Sequence, residues 1–102
     1  MKNNLSKFNK YLRYINNELI IEELSCESLS KRFKTPLFCY SVNQIEDNFK
    51  QLENSFKKLS PIICYAVKAN YNSQIIKLLS KYGAGADVVS MGEMQQCLRC
   101  GI

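Results

Sequence analysis

Lys68 closes the apolar run Pro61-Ile62-Ile63-Cys64-Tyr65-Ala66-Val67 and is followed by Ala69-Asn70. Its part Ile62 to Val67 is short, does not alternate and is rich in β-branched residues, so it reads as a strand buried on both faces, as in a parallel sheet. In barrels and open α/β sheets, active sites form at the C-terminal ends of such strands. A lysine there is partly desolvated, which favours its neutral amine. A neutral amine can form a Schiff base with an aldehyde or another carbonyl. From position alone, the commoner case is a solvated lysine that merely ends its strand.

Two carboxylates follow. Asp87 stands in the short apolar stretch Ala86-Asp87-Val88-Val89. Buried beside a strand end it needs a partner, and Lys68 is one candidate; a solvated loop carboxylate is the alternative. Glu93 lies three residues after Ser90, a spacing that caps a helix N-terminus with no chemistry involved. A capping carboxylate can still face a site. Cys97-Leu-Arg-Cys100 has metal-ligand spacing, but a zinc site takes about four ligands and the chain has no histidine. Residues three apart share a helix face, so packing is the expected role and no metal is expected. With five cysteines, an odd number, and no secretory signal, the thiols are expected to be reduced. Cys39 and Cys64 sit in apolar runs and are expected to pack as small hydrophobes.

The elements that would position these residues alternate. Leu19-Ile20-Ile21 reads as a short strand and Ser25 to Phe33 as a short helix. Pro36 restricts Thr35 to extended conformations, and Leu37-Phe38-Cys39-Tyr40 then reads as a strand. Val42, Ile45, Phe49, Leu52, Phe56 and Leu59 recur in steps of three and four, giving an amphipathic helix. Ser41 and Gln44 supply a capping-box pattern at its start. After the Lys68 strand, a helix is expected from about Ser73 to Tyr82, ended by Gly83. A strand at 86–89 and a helix from Ser90 to about Gly101 complete the order. Strand and helix in alternation imply parallel strands with crossover helices. The expected fold class is α/β, about three βα units of either a doubly wound sheet or a (β/α)8 barrel, cut off partway.

Composition excludes several alternatives. Hydrophobic residues make up 46% and charged residues 23%, which is ordinary for a globular chain and argues against disorder. The longest apolar run, about seven residues, is roughly a third of a membrane span. Residues 1–10 are polar and basic with no apolar segment behind them, so a cytoplasmic location is expected. The net charge of +5 is dispersed. The densest pairs, Lys31-Arg32 and Lys57-Lys58, make no tract for nucleic acid.

Tyr65-Ala66-Val67-Lys68-Ala69-Asn70, with Ile75-Ile76, Leu79 and Gly83 behind it, resembles the pyridoxal-phosphate attachment signature of the ornithine, arginine and diaminopimelate decarboxylase family. Gly83-Ala84-Gly85-Ala86-Asp87-Val88-Val89-Ser90-Met91-Gly92-Glu93-Met94 resembles the family's next block. Its Asp-Val-Val-Ser wording is most similar to the diaminopimelate branch. Asn17-Glu18-Leu19 and Thr35-Pro36-Leu37-Phe38-Cys39-Tyr40-Ser41 resemble that branch's opening. Alanine racemases have a similar barrel, but the 87–93 block fits the decarboxylases better. Two positions depart from the pattern: Lys34 stands where the family usually has glycine, and Met91 where it often does.

The resemblance implies a fold-type III enzyme, with a (β/α)8 barrel that binds pyridoxal 5'-phosphate and a β-rich second domain. Residues 1–34 would pack partly on that second domain, and residues 35–102 would open the barrel. It implies Lys68 as the lysine that carries the cofactor, Ala66 as a small residue beneath its ring, and Asp87 and Glu93 as acidic groups near it. It implies meso-diaminopimelate as substrate, lysine as product, and a homodimer. The ring-stacking histidine, the glycine-rich phosphate loop, the acidic partner of the pyridine nitrogen and the cysteine segment lent by a second subunit would lie past Ile102. The chain then corresponds to roughly the first quarter of such an enzyme, inactive alone and needing a complementary chain. The alternative is a non-catalytic remnant of a split or decayed gene.

Overall fold

A computed structural model describes residues 4–102 of the chain, so Met1, Lys2 and Asn3 of the basic N-terminal stretch lie outside the described residues. The chain forms two compact units, one ending at Asn48 and one running Phe49–Ile102.

The first unit is built on an antiparallel meander. Helix α1 (Leu5–Phe8) leads into β1 (Leu12–Ile15), β2 (Glu18–Ile21) and β3 (Leu24–Ser25). The register Ile15↔Glu18 leaves only Asn16 and Asn17 in the first turn. Both have positive φ, 50° and 66°, the pattern of a type I′ hairpin turn, whose twist matches that of the strands. Asparagine tolerates this region better than most residues. Helix α2 (Cys26–Phe33) follows at once. The Ser25 side chain caps it, accepting the Ser28 N–H at 3.1 Å, while its hydroxyl donates to Glu18. The helix ends at Lys34, whose φ of 71° and ψ of 175° fall in a region that is nearly glycine-only. Lys34 thus holds a conformation in which glycine is the usual residue.

Helix α3 (Val42–Phe56) starts in this unit. Ser41 caps it, accepting the Gln44 N–H at 3.0 Å. The second half of the expected capping box comes from elsewhere. Gln44 turns its amide to Asn48, and Glu22 takes its place. One Glu22 oxygen accepts the Ser41 hydroxyl at 2.6 Å and the Asn43 N–H at 3.0 Å. Glu22 reaches this position from a tight turn of its own, at φ 53°. Asp47 fastens the N-terminal segment, accepting the Tyr11 hydroxyl at 2.7 Å and the Lys10 ammonium at 2.6 Å.

The second unit holds the β-α-β arrangement. Strands β4 (Cys64–Ala66) and β5 (Gly85–Asp87) pair in parallel, with Cys64↔Gly85, Tyr65↔Ala86 and Ala66↔Asp87 in register. Helix α4 (Ser73–Lys81) connects them and α5 (Met91–Arg99) follows. A Cβ on Gly85 would lie 2.9 Å from Cys64 Sγ, so this pairing favours glycine. Val67 and Ile76, both 0% exposed, anchor the core with Cys97 and Cys100. Burying the two aliphatic side chains contributes roughly 1.5–3 kcal/mol each. Both helices end in Schellman motifs. Gly83 donates to the Ser80 carbonyl and Ala84 to Leu79; Gly101 donates to Leu98 and Ile102 to Cys97. The glycines supply φ of 82° and 96°. The Ser80 hydroxyl joins the two helices at the Cys100 carbonyl, 2.9 Å away.

The structure corrects several expectations. Not all strands are parallel: the described residues hold an antiparallel three-stranded sheet and a separate two-stranded parallel sheet, and these do not close a barrel. Residues 37–40 form no strand and pair with none of the described strands, and Phe38 is 83% exposed. The strand expected over 62–67 shortens to Cys64–Ala66. It has one neighbour rather than two, and Ile62 before it is 86% exposed. Cys39 and Cys64 are exposed, whereas Cys97 and Cys100 are buried as packing residues. No helix among the described residues is long and apolar enough to cross a membrane.

Two outcomes follow. Lys34→Gly should raise the stability of the chain by about 1 kcal/mol, because relief of the strained backbone outweighs the added unfolded-state entropy; chemical denaturation measures it. The Ser41 hydroxyl, then the Asn43 N–H, hold the Glu22 carboxyl below the usual carboxylate range. The stability this contributes is full above about pH 4.3, the ordinary glutamate value, and is lost as pH falls through the lower folded value. Melting curves of Glu22→Gln should therefore lose part of this acid dependence.

Candidate functional site

Because β4 and β5 run parallel, their C-terminal ends lie side by side. Ala66 ends β4 and Asp87 ends β5, and the two are register partners. Directly after Ala66 the chain turns through a single 3-10 turn, Val67–Ala69. Val67 points into the core and Lys68 outward, where it is exposed. Sequence and topology thus bring Ala66, Lys68 and Asp87 to one sheet edge.

The turn is held by polar bonds. The Tyr65 hydroxyl donates to the Asn70 carbonyl at 2.9 Å, spanning the turn from β4 to its far side. The Asn70 side chain accepts the Asn72 N–H at 3.0 Å. The Asn72 side chain accepts the Gln74 N–H at 2.9 Å and so caps α4. Asn72 had a readable signal, an asparagine just before an apolar periodic run. Tyr65 had none, because its bond depends on the shape of the turn.

Lys68 and Asp87 are both exposed, which for each is the solvated one of its two readings. Neither residue is in any of the ion pairs among the described residues. Glu93 acts as a cap. Its N–H donates to Ser90 Oγ at 3.1 Å, and its carboxylate accepts the Val89 N–H at 2.8 Å. Burial pushes the Cys97 thiol up. An apolar groove of about 350 Å³ lies in the first unit, among Leu24, Leu29, Phe33, Phe38 and Tyr40, and contains none of the candidate residues.

The family model for the pyridoxal-dependent decarboxylase, pyridoxal binding domain, matches residues 42–102. Over 98 residues the chain is 45% identical to the diaminopimelate decarboxylase of Aquifex aeolicus, a match covering 96% of this chain and 23% of that protein. A crystal structure from Aquifex aeolicus superposes with a TM-score of 0.91 at 45% identity, covering 96% of this chain and 24% of that one. The diaminopimelate decarboxylase from M. jannaschii, solved in complex with L-lysine, superposes with a TM-score of 0.87 at 33% identity, covering 92% and 23%. The chain therefore spans about a quarter of the length of the curated relatives it matches.

If Glu93 serves chiefly as a cap, Glu93→Ala should cost about 0.5–2 kcal/mol. Glu93→Gln, which can still accept the Val89 N–H, should recover most of that loss in the same denaturation assay.

Proposed function

The chain belongs to the pyridoxal-dependent decarboxylase family, and on that basis we propose that it forms the cofactor-attachment part of an enzyme converting meso-diaminopimelate to lysine. Lys68 is the attachment residue. The observation that carries this reading is the position of Lys68: it follows directly on the parallel strand whose last residue pairs with Asp87, inside the segment the family model matches. The substrate rests on the similarity to diaminopimelate decarboxylases, one of which was solved with L-lysine. Residues 35–102 open a (β/α)8 barrel, and residues 1–34 pack partly on the second domain. The whole enzyme is a cytoplasmic homodimer.

The residues present fit the group at its attachment point. Lys68 offers an amine that is accessible and outside any described ion pair. Ala66 presents only a methyl group at the neighbouring strand end, leaving room for a planar ring. Asp87 holds negative charge on the adjacent strand and can orient a cation at the same edge. Glu93 keeps the first turn of α5 in place behind that edge. When bound, pyridoxal phosphate supplies the aldehyde for the lysine and an electron sink for loss of an α-carboxylate. Lys68 Nζ would be the atom that holds the group, and as an amine it could accept and return a proton at that same edge.

The test is reduction with borohydride in the presence of pyridoxal phosphate, followed by peptide mapping. The adduct should form at Lys68 in preference to Lys77 and Lys81. Equal yields at all three would refute the assignment. With the rest of the barrel supplied from the Aquifex relative, carbon dioxide release from meso-diaminopimelate should appear, and Lys68→Ala should abolish it.

A further inference from the structure

Tyr65 has two environments. Its ring packs against the buried cluster of Val67, Ile76, Cys97 and Cys100. Its hydroxyl reaches past Lys68 to the Asn70 carbonyl at 2.9 Å. The turn between them spans only Ala66 to Ala69, so one rigid side chain links its start to its end. The linkage continues through the Asn70 side chain to the Asn72 N–H at 3.0 Å, and through the Asn72 side chain to Gln74. The backbone that carries Lys68 is therefore fixed to the core on one side and to the α4 cap on the other. Burial contributes little to holding Lys68 itself, since its side chain is exposed.

We infer that the Tyr65 hydroxyl is a positioning group for Lys68: by closing the 67–69 turn it sets where the amine can meet an aldehyde. This rests on the reading of Lys68 as the attachment residue. A fixed backbone leaves only the side-chain rotors to be ordered when the amine reacts, and the loss of ordering freedom is what opposes any such encounter. Tyr65 touches neither the cofactor nor the reacting atoms in this role. It acts only through the turn.

The test uses the full chain with pyridoxal phosphate as the probe. Adduct yield at Lys68 after borohydride reduction is divided by the mean yield at Lys77 and Lys81. Tyr65→Phe keeps the ring and removes one oxygen. It should lower this ratio about threefold, the scale of one neutral hydrogen bond. Nitrogen-15 relaxation in the same variant should show added mobility confined to residues 67–70, with Ile76 and Cys97 unchanged. Asn70→Ala leaves the core untouched and cuts the link to Asn72, so it should lower the ratio by about half as an independent check.

A selective wild-type chain whose ratio survives both substitutions would overturn the inference and leave Lys68 as the attachment residue. Loosening spread across the whole unit would also overturn it, since Tyr65 would then be a stability residue only. A wild-type ratio near one would overturn the attachment reading itself, and the positioning role with it.

Discussion

The parallel pairing of β4 with β5 is the contact on which the candidate site depends. Three register pairs are enough to bring two strand ends together, and an antiparallel pairing would have sent Lys68 and Asp87 to opposite ends. The pairing is supported from below by Val67 and Ile76, which are fully buried. It also depends on the small residue opposite Cys64, because a side chain on Gly85 would meet the sulfur. Helix α4 connects the strands, and its Schellman end at Gly83 returns the chain to β5 within two residues. A parallel pair needs such a crossover.

Much of this was legible in the sequence, for identifiable reasons. The amphipathic period of α3, the caps at Ser25, Ser41 and Ser90, and the glycines after α4 and α5 are local signals, and each appears where the local pattern places it. Lys68 and Asp87 at one edge follow from the order of elements. The β1–β2 hairpin was legible too, had Asn16-Asn17 been read as a turn between Leu12–Ile15 and Glu18–Ile21. What could not be read locally depends on partners. Whether 37–40 pairs is decided by a neighbouring strand, not by its own β-rich composition. The same is true of burial at Ile62 and of charge at Asp87. Sequence patterns report what a segment is suited to, and exposure reports what surrounds it.

The two units balance strain and compensation differently. In the first, Glu22 and Lys34 both take positive φ without being glycine. Glu22 is compensated, since its turn delivers a carboxylate to the start of α3. Lys34 ends α2 with one backbone bond to Ser30, and the structure shows no comparable return for its side chain. In the second unit the positive φ values other than Ser60 fall on glycines. The segment that bears the candidate chemistry is thus the conformationally relaxed one.

Val67 and Lys68 are adjacent residues with opposite surroundings, one sealed in the core and one in solvent. Their Cα atoms are about 3.8 Å apart across a rigid peptide plane. The plane acts as a short lever with its inner arm clamped by close packing. A displacement of Val67 by repacking around Ile76 or Cys97 would be passed through that plane to the Lys68 backbone, with only the φ and ψ rotations beside it to absorb the change. Core residues that never approach the reacting edge can therefore retune where its amine sits.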